Sequence, residues 1–122
     1  MLNFLTDLFK PQTAKAPPIT SETSMNFDAQ DVQPFLIGLM NNPRFGLPPE
    51  LPSLISEALP GIAVDSRQRW KIDADFDGAR VTIEIEAFMD DIDAPDLYFF
   101  SSQPVIDEIE RELNAFAELM ER

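Results

Sequence analysis

Asp90, Asp91, Asp93 and Asp96 fall within seven positions of the segment FMDDIDAPDLYFF, residues 88–100. Carboxylates this close together are typical of a calcium or magnesium site, because these cations take several oxygen ligands that converge on one point. The EF-hand pattern, however, needs an acidic or asparagine ligand at position 95, followed by glycine. The chain has Pro95 and then Asp96. The match fails, and no bound metal is predicted.

Two other interpretations of this segment stay open. The first is an acidic connection between two strands, which its charge keeps soluble. The second is a contact surface for a protein partner. Ile92 would be exposed among the aspartates, and an apolar residue ringed by acids suits a protein contact. We rank the strand connection first, the contact surface second and the metal site third.

A second group of carboxylates is predicted on the outer face of a β-hairpin: Asp73, Asp75, Glu84 and Glu86. A metal-dependent nuclease would place Glu-x-Lys at such a position, but the lysine is missing. Paired carboxylates also perform acid–base catalysis in glycosidases. Here, basic residues on the opposite strand would hold the carboxylates ionised and exposed: Arg69, Lys71 and Arg80. The group is therefore predicted to be a second partner-binding patch and not a catalytic site.

The chain of 122 residues contains neither histidine nor cysteine. This composition removes the commonest general base, the commonest zinc ligand and all thiolate chemistry. Ser101 and Ser102 have no histidine to activate them. The 4 glycines form no phosphate-binding loop. We therefore expect a protein without enzymatic activity and without a cofactor.

The charge of the chain limits its partners. The net charge is −13, and most of it falls in residues 62–122, which contain sixteen acidic and six basic residues. Such a field repels nucleic acid and anionic lipid and attracts basic proteins. No apolar run approaches the roughly 18 residues of a membrane span. MLNFLTDLFK lacks a signal-peptide pattern, so a cytoplasmic protein is expected.

The strongest structural signal is RQRWKIDADFDGARVTIEIEAF, residues 67–88. Asp77-Gly78 is typical of a two-residue type I′ hairpin turn. Pairing outward from this turn places the apolar residues together on one face: Ala74–Val81, Ile72–Ile83 and Trp70–Ile85. The other face then carries three opposite-charge pairs: Asp75–Arg80, Lys71–Glu84 and Arg69–Glu86. A slip of one residue would destroy both patterns, so the register is predicted as well.

Helices are predicted on both sides of this hairpin. Two short ones cover residues 31–41, with Asp28 or Asp31 as the cap, and residues 51–59. A long amphipathic helix covers residues 103–121, with Asp107 and Arg111 spaced to form an ion pair. Residues 96–102 are predicted as a strand, and residues 61–66 are the candidate for a fourth. The fold is therefore α+β: two short N-terminal helices, a three- to four-stranded antiparallel meander, and the long helix packed on one sheet face.

The N-terminal residues are predicted to lie apart from this domain. Residues 2–9 place Leu2, Leu5 and Phe9 on one helical stripe that is too short to be stable alone, and they are therefore candidates for docking. Residues 11–24, rich in proline, serine and threonine, are predicted as a linker or extended arm. The predicted division is residues 1–26 as helix and arm, and residues 27–122 as one domain.

Binding is the remaining class of function. The favoured hypothesis is a small inhibitor or immunity-type protein that neutralises a basic, nucleic-acid-handling enzyme or toxin by presenting carboxylates where phosphates would bind. The alternatives are an acidic secretion-type chaperone or adaptor that works as a homodimer, and an accessory subunit that docks through its N-terminal stripe. A low isoelectric point, small size and an amphipathic C-terminal helix resemble type III secretion chaperones in general character, although no motif carries that resemblance.

Overall fold

The computed structural model describes residues 16–121. The strands in that range are β1 (Ser21–Asn26), β2 (Phe45–Gly46), β3 (Arg67–Phe76), β4 (Ala79–Asp91) and β5 (Ala94–Ser101). The α-helices are α1 (Val32–Met40), α2 (Leu51–Ala58) and α3 (Gln103–Met120). Short 3-10 turns precede α1 at Ala29–Asp31 and follow α2 at Leu59–Gly61.

The strands form one antiparallel sheet in the order β1-β5-β4-β3-β2. The α+β fold is confirmed, and β3, β4 and β5 form the predicted meander. The described sheet has five strands instead of three to four, because β1 and β2 add one at each edge. The predicted strand at residues 61–66 is wrong. This stretch ends a 3-10 turn and continues into a tight turn in which Asp65 has a φ of 68°.

The β3–β4 hairpin has the predicted register. Phe76 pairs with Ala79, Ile72 with Ile83 and Arg69 with Glu86. Asp77 and Gly78 have φ angles of 53° and 84°. These left-handed values are those a type I′ turn requires, and Asp-Gly adopts them at low cost. The apolar pairs face the core, and the charged pairs lie on what we call the outer face.

The last four residues of the predicted linker or extended arm, residues 11–24, are extended as part of β1, residues 21–26, which makes them part of the sheet. This strand pairs with β5 along its whole length, from Ser21 opposite Ser101 to Asn26 opposite Asp96. The sheet therefore begins before the predicted domain boundary at residue 27. SETSMN gives no clear strand pattern because it contains a single apolar residue, Met25. As an edge strand that is at most half-buried, β1 needs little apolar surface.

The core lies between the inner sheet face and the helices. α3 packs against β1, β5 and α1, as predicted for a helix that covers the sheet. Phe35 of α1 helps to cover the same face, since its ring centroid lies 6.0 Å from that of Phe99 on β5 and 5.5 Å from that of Phe116 on α3. Leu54 of α2 is exposed. Leu119 and Met120, at the end of the α3 stripe, are exposed as well.

Candidate functional site

The clustered aspartates lie at the tip of the β4–β5 hairpin. Asp90 and Asp91 end β4, Ile92 and Asp93 form the turn, and Asp96 lies within β5. The predicted strand connection is therefore confirmed, although it is shorter than expected, because Asp91 already pairs with Ala94. Ile92 at the tip is 70% exposed.

The fold brings further carboxylates to this tip. The Ala29 N–H donates a hydrogen bond to the Asp93 carbonyl at 2.8 Å, which places the turn carrying Asp28 and Asp31 beside the hairpin. On the other side, the Asp65 N–H donates to the Met89 carbonyl at 2.8 Å. We call the resulting surface the acidic end. Its seven carboxylates are Asp28, Asp31, Asp65, Asp90, Asp91, Asp93 and Asp96.

The carboxylates of the acidic end make few contacts with the rest of the protein. The Asn26 side-chain amide donates to Asp96 Oδ1 at 2.7 Å, and the Asp93 backbone N–H donates to Asp91 Oδ1 at 3.2 Å. Within residues 16–121, no ion pair includes any of the seven. No group of three or more acidic side chains in that range is arranged to hold a metal ion. The acidic end therefore carries negative charge that no basic side chain of the described part balances.

The second predicted patch has a different character. Glu86 is buried, and its carboxylate accepts hydrogen bonds from Arg67 at 2.8 Å and from Arg69 at 2.8 and 3.1 Å. Arg69 also forms an ion pair with Glu84 at 2.7 Å. Lys71 was the predicted partner of Glu84. Thus two of the four carboxylates are already neutralised. Of the others, Asp75 lies 3.8 Å from Arg80, and Asp73 is exposed.

Aromatic side chains complete this outer face. The guanidinium of Arg69 lies over the Phe100 ring, 4.5 Å from its centroid, and that of Arg67 lies 5.1 Å from the centroid of Phe88. Tyr98 stacks beside Phe100 at 6.4 Å. These contacts use the same two arginines that bind Glu86. On the outer face, therefore, the arginines already bind carboxylates and aromatic rings of the same sheet, and little unpaired charge remains for a partner.

A third cluster, which the sequence did not indicate, centres on Glu108 of α3. Its carboxylate is buried and accepts hydrogen bonds from Asn42 and Arg44, both at 2.8 Å, and from Arg111 at 3.2 Å. Arg44 also forms a fork with the Asp77 carboxylate at 2.8 and 2.9 Å. The predicted Asp107–Arg111 ion pair is wrong. Arg111 pairs with Glu108, where Arg44 adds a second positive charge.

The hydrogen bonds from partners hold two carboxyl groups in their ionised form. The hydrogen bond from Asn42 holds the pKa of Glu108 below its ordinary value, against the opposing effect of burial, with further lowering by Arg111 and then Arg44. The Arg44 fork likewise lowers the pKa of Asp77. A carboxyl held ionised in this way is a structural anion and a poor general acid at neutral pH.

The depressed pKa of Glu108 makes stability depend on pH. Its pKa is lower in the folded than in the unfolded state, so its contribution is complete above the unfolded value of about 4.3 and is lost as the pH falls through the folded value. We expect the free-energy difference between the native protein and Glu108→Gln to shrink as the pH drops below about 4. Urea titrations of both proteins between pH 7 and pH 3 measure it. A difference that stays constant over this range would contradict the assignment.

The structure does not describe the three residues predicted for N-terminal docking. Leu2, Leu5 and Phe9 lie outside the described residues. No helix within residues 16–121 combines the length and hydrophobicity needed to cross a membrane. Comparison with known proteins found no matching family model, no matching curated protein and no matching solved structure.

Proposed function

We propose that this protein is a non-enzymatic, acidic binding protein that captures a basic surface of another protein through the acidic end. The observation that carries the proposal is the separation of charge. Most basic residues of the described part already form ion pairs elsewhere: Arg44, Arg67, Arg69, Arg80 and Arg111. Within residues 16–121 the seven carboxylates of the acidic end form none, so their field is directed at solvent and at any approaching partner.

The shape of the tip supports a protein partner. A small ion would need carboxylates that converge, and those of residues 16–121 do not. A protein interface instead combines a desolvated apolar centre with a polar rim. Ile92, 70% exposed between Asp91 and Asp93, supplies the centre, and the surrounding carboxylates supply the rim. The turn is held in place by the hydrogen bond between Ala29 and Asp93, so this surface is preformed.

The charge pattern favours a partner that handles nucleic acid. Enzymes and toxins of that kind expose lysines and arginines that bind phosphates. A set of carboxylates on one end of a small domain can occupy those side chains and exclude the nucleic acid. Such an inhibitor associates quickly through electrostatic steering, and its binding weakens as salt rises. The expected interaction is therefore fast and salt-sensitive.

The test is a triple variant, Asp90→Asn, Asp91→Asn and Asp93→Asn, which removes three charges and keeps the size of the side chains. Immobilised native and variant proteins would be exposed to lysate of the source organism, and retained proteins would be quantified by mass spectrometry at low and high salt. We expect a basic protein that the native chain retains at low salt and releases at high salt. Its affinity for the variant should fall on the order of 100-fold.

A matched control makes the result specific to the acidic end. Glu57→Gln, Glu110→Gln and Glu118→Gln remove the same number of charges from other exposed positions. This control should retain the basic protein nearly as well as the native chain. Equal loss in both triple variants would mean that net charge alone attracts the partner, and unchanged binding in the Asn variant would refute the proposal.

A further inference from the structure

An apolar surface is left open at the end of α3. Two shallow hollows flank the half-buried ring of Phe116. One, of about 170 Å³, lies between α3 and α1 and is lined by Phe35, Gly38, Ala115 and Leu119. The other, of about 310 Å³, lies between α3 and β1 and includes Met25 and Met120. We call these two hollows together the α3 groove.

The rim of the α3 groove exposes large apolar side chains. Leu119 is 59% exposed and Met120 is 49% exposed. The apolar stripe of α3 thus continues past the region that the sheet and α1 cover. Apolar side chains grouped in this way usually mark a contact surface.

Charge argues against a second copy of α3 as the occupant. α3 carries five acidic residues and one basic residue, Arg111. Asp28 and Asp31 also line the hollow beside β1. Two copies packed through this surface would bring acid against acid, which is destabilising. The occupant should therefore be apolar and should not carry net negative charge.

Residues 1–15 of the chain meet this description. They contain one acidic residue, Asp7, and two basic residues, Lys10 and Lys15, a net charge of +1 in a chain whose total is −13. Leu2, Leu5 and Phe9 supply apolar side chains at helical spacing. Residues 32–44 also combine apolar helical spacing with one positive charge, but most of their apolar side chains are already buried in α1.

The chain is long enough for this segment to reach the α3 groove. The Ser21 hydroxyl donates to the Gln103 side chain at 2.7 Å, so β1 begins beside the first turn of α3. The groove lies at the other end of this helix of 18 residues, about 27 Å away at 1.5 Å per residue. The Thr20 N–H also donates to the Ser101 carbonyl at 3.1 Å, so the reach is counted from Thr20, and the eleven residues from Phe9 to Thr20 span up to about 36 Å when extended.

We propose that the N-terminal segment, residues 2–9, binds the α3 groove of its own chain, with Leu2, Leu5 and Phe9 against Phe116, Leu119 and Met120. The proposal requires no partner protein, although the α3 groove shares Asp28 and Asp31 with the acidic end. It assigns the N-terminal stripe a site within the same molecule, so that the segment covers the apolar end of α3 in the full chain.

A spin label tests the contact directly. The native chain has no cysteine, so Thr6→Cys gives a single attachment site in the full-length protein. We expect the label to broaden the methyl resonances of Leu119 and Met120 and to leave those of Val105 sharp, because Val105 lies in the first turn of α3, about 21 Å from Leu119 along the helix. A second sample mixes spin-labelled protein without isotopes and isotope-enriched protein without the label. In this mixture, only a contact between two molecules can broaden the observed resonances. Broadening that persists in this mixture would show that another copy supplies the segment and would overturn the proposal.

A sequence variant provides the second measurement. Leu5→Glu with Phe9→Glu should abolish the broadening and raise amide hydrogen exchange in residues 115–120 about tenfold. Gln12→Glu with Thr13→Glu adds the same charge to the arm without touching the stripe, and it should leave both measurements unchanged. No broadening in the labelled native chain, or equal effects in both variants, would refute the contact.

Discussion

Glu108→Ala should lower the free energy of unfolding by about 2 kcal/mol, because it removes a buried carboxylate that accepts hydrogen bonds from Asn42 and from two partly exposed arginines. The Glu108 side chain is 4% exposed and accepts hydrogen bonds from three groups on two parts of the fold. Without it, the buried Asn42 amide loses one of its two acceptors, and Arg44 loses the carboxylate that ties the β2 corner to α3. Urea unfolding followed by far-UV circular dichroism measures the change.

Two further variants serve as controls for Glu108→Ala. Glu110→Ala removes an exposed carboxylate from the same helix and should change stability by less than about 0.5 kcal/mol. Glu108→Gln keeps the size and one acceptor oxygen, so its cost should fall between the other two. If Glu108→Ala and Glu110→Ala prove equally stable, the Glu108 cluster does not hold α3 against the β2 corner.

The sequence predicted the elements whose pattern is local. The β3–β4 register followed from one turn and two alternating strands, because both its apolar pairs and its charged pairs select the same alignment. Glu108 could not be found in this way. Its partners Asn42 and Arg44 are more than sixty positions distant, and only the packing of α1 and β2 against α3 brings them together. On a helical wheel Glu108 is simply one of several acids beside the apolar stripe.

The acidic end also combines residues that the local sequence reveals with residues that only the folded chain brings together. Asp90, Asp91, Asp93 and Asp96 are visible as a cluster in the sequence, and the structure keeps them on one hairpin tip. Asp28, Asp31 and Asp65 join them through backbone hydrogen bonds that no short motif encodes. In the second predicted patch, Glu86 is buried and paired although it was expected to be exposed, and the reason is the converse. The sequence identified the basic neighbours of Glu86, but burial beneath Arg67 and Arg69 depended on the side-chain packing of the sheet.

A second prediction concerns how deletions at the N-terminus change the stability of the fold. Deleting residues 1–26 should destabilise the fold by about 4 kcal/mol or more, since β1 pairs with β5 over six residues and each lost hydrogen bond contributes about 1 kcal/mol. Leu97 and Phe99, fully buried on β5, would then lie on an open sheet edge. Such a loss approaches the whole stability of many small domains. Deleting residues 1–15 leaves β1 intact and should preserve cooperative unfolding.

Proline substitutions separate the effect of strand pairing from that of chain length. The Phe27 N–H donates to the Pro95 carbonyl at 2.9 Å, so alternate residues along β1, including Thr23, direct their N–H groups toward β5, whereas Ser24 directs its N–H away. Thr23→Pro should therefore remove a sheet hydrogen bond, and Ser24→Pro, one residue further, should not. We expect thermal unfolding to show a clearly lower Tm for Thr23→Pro than for Ser24→Pro. Equal Tm values, together with a residue 27–122 fragment as stable as the full chain, would mean that β1 is dispensable and that the predicted boundary at residue 27 describes the stable domain after all.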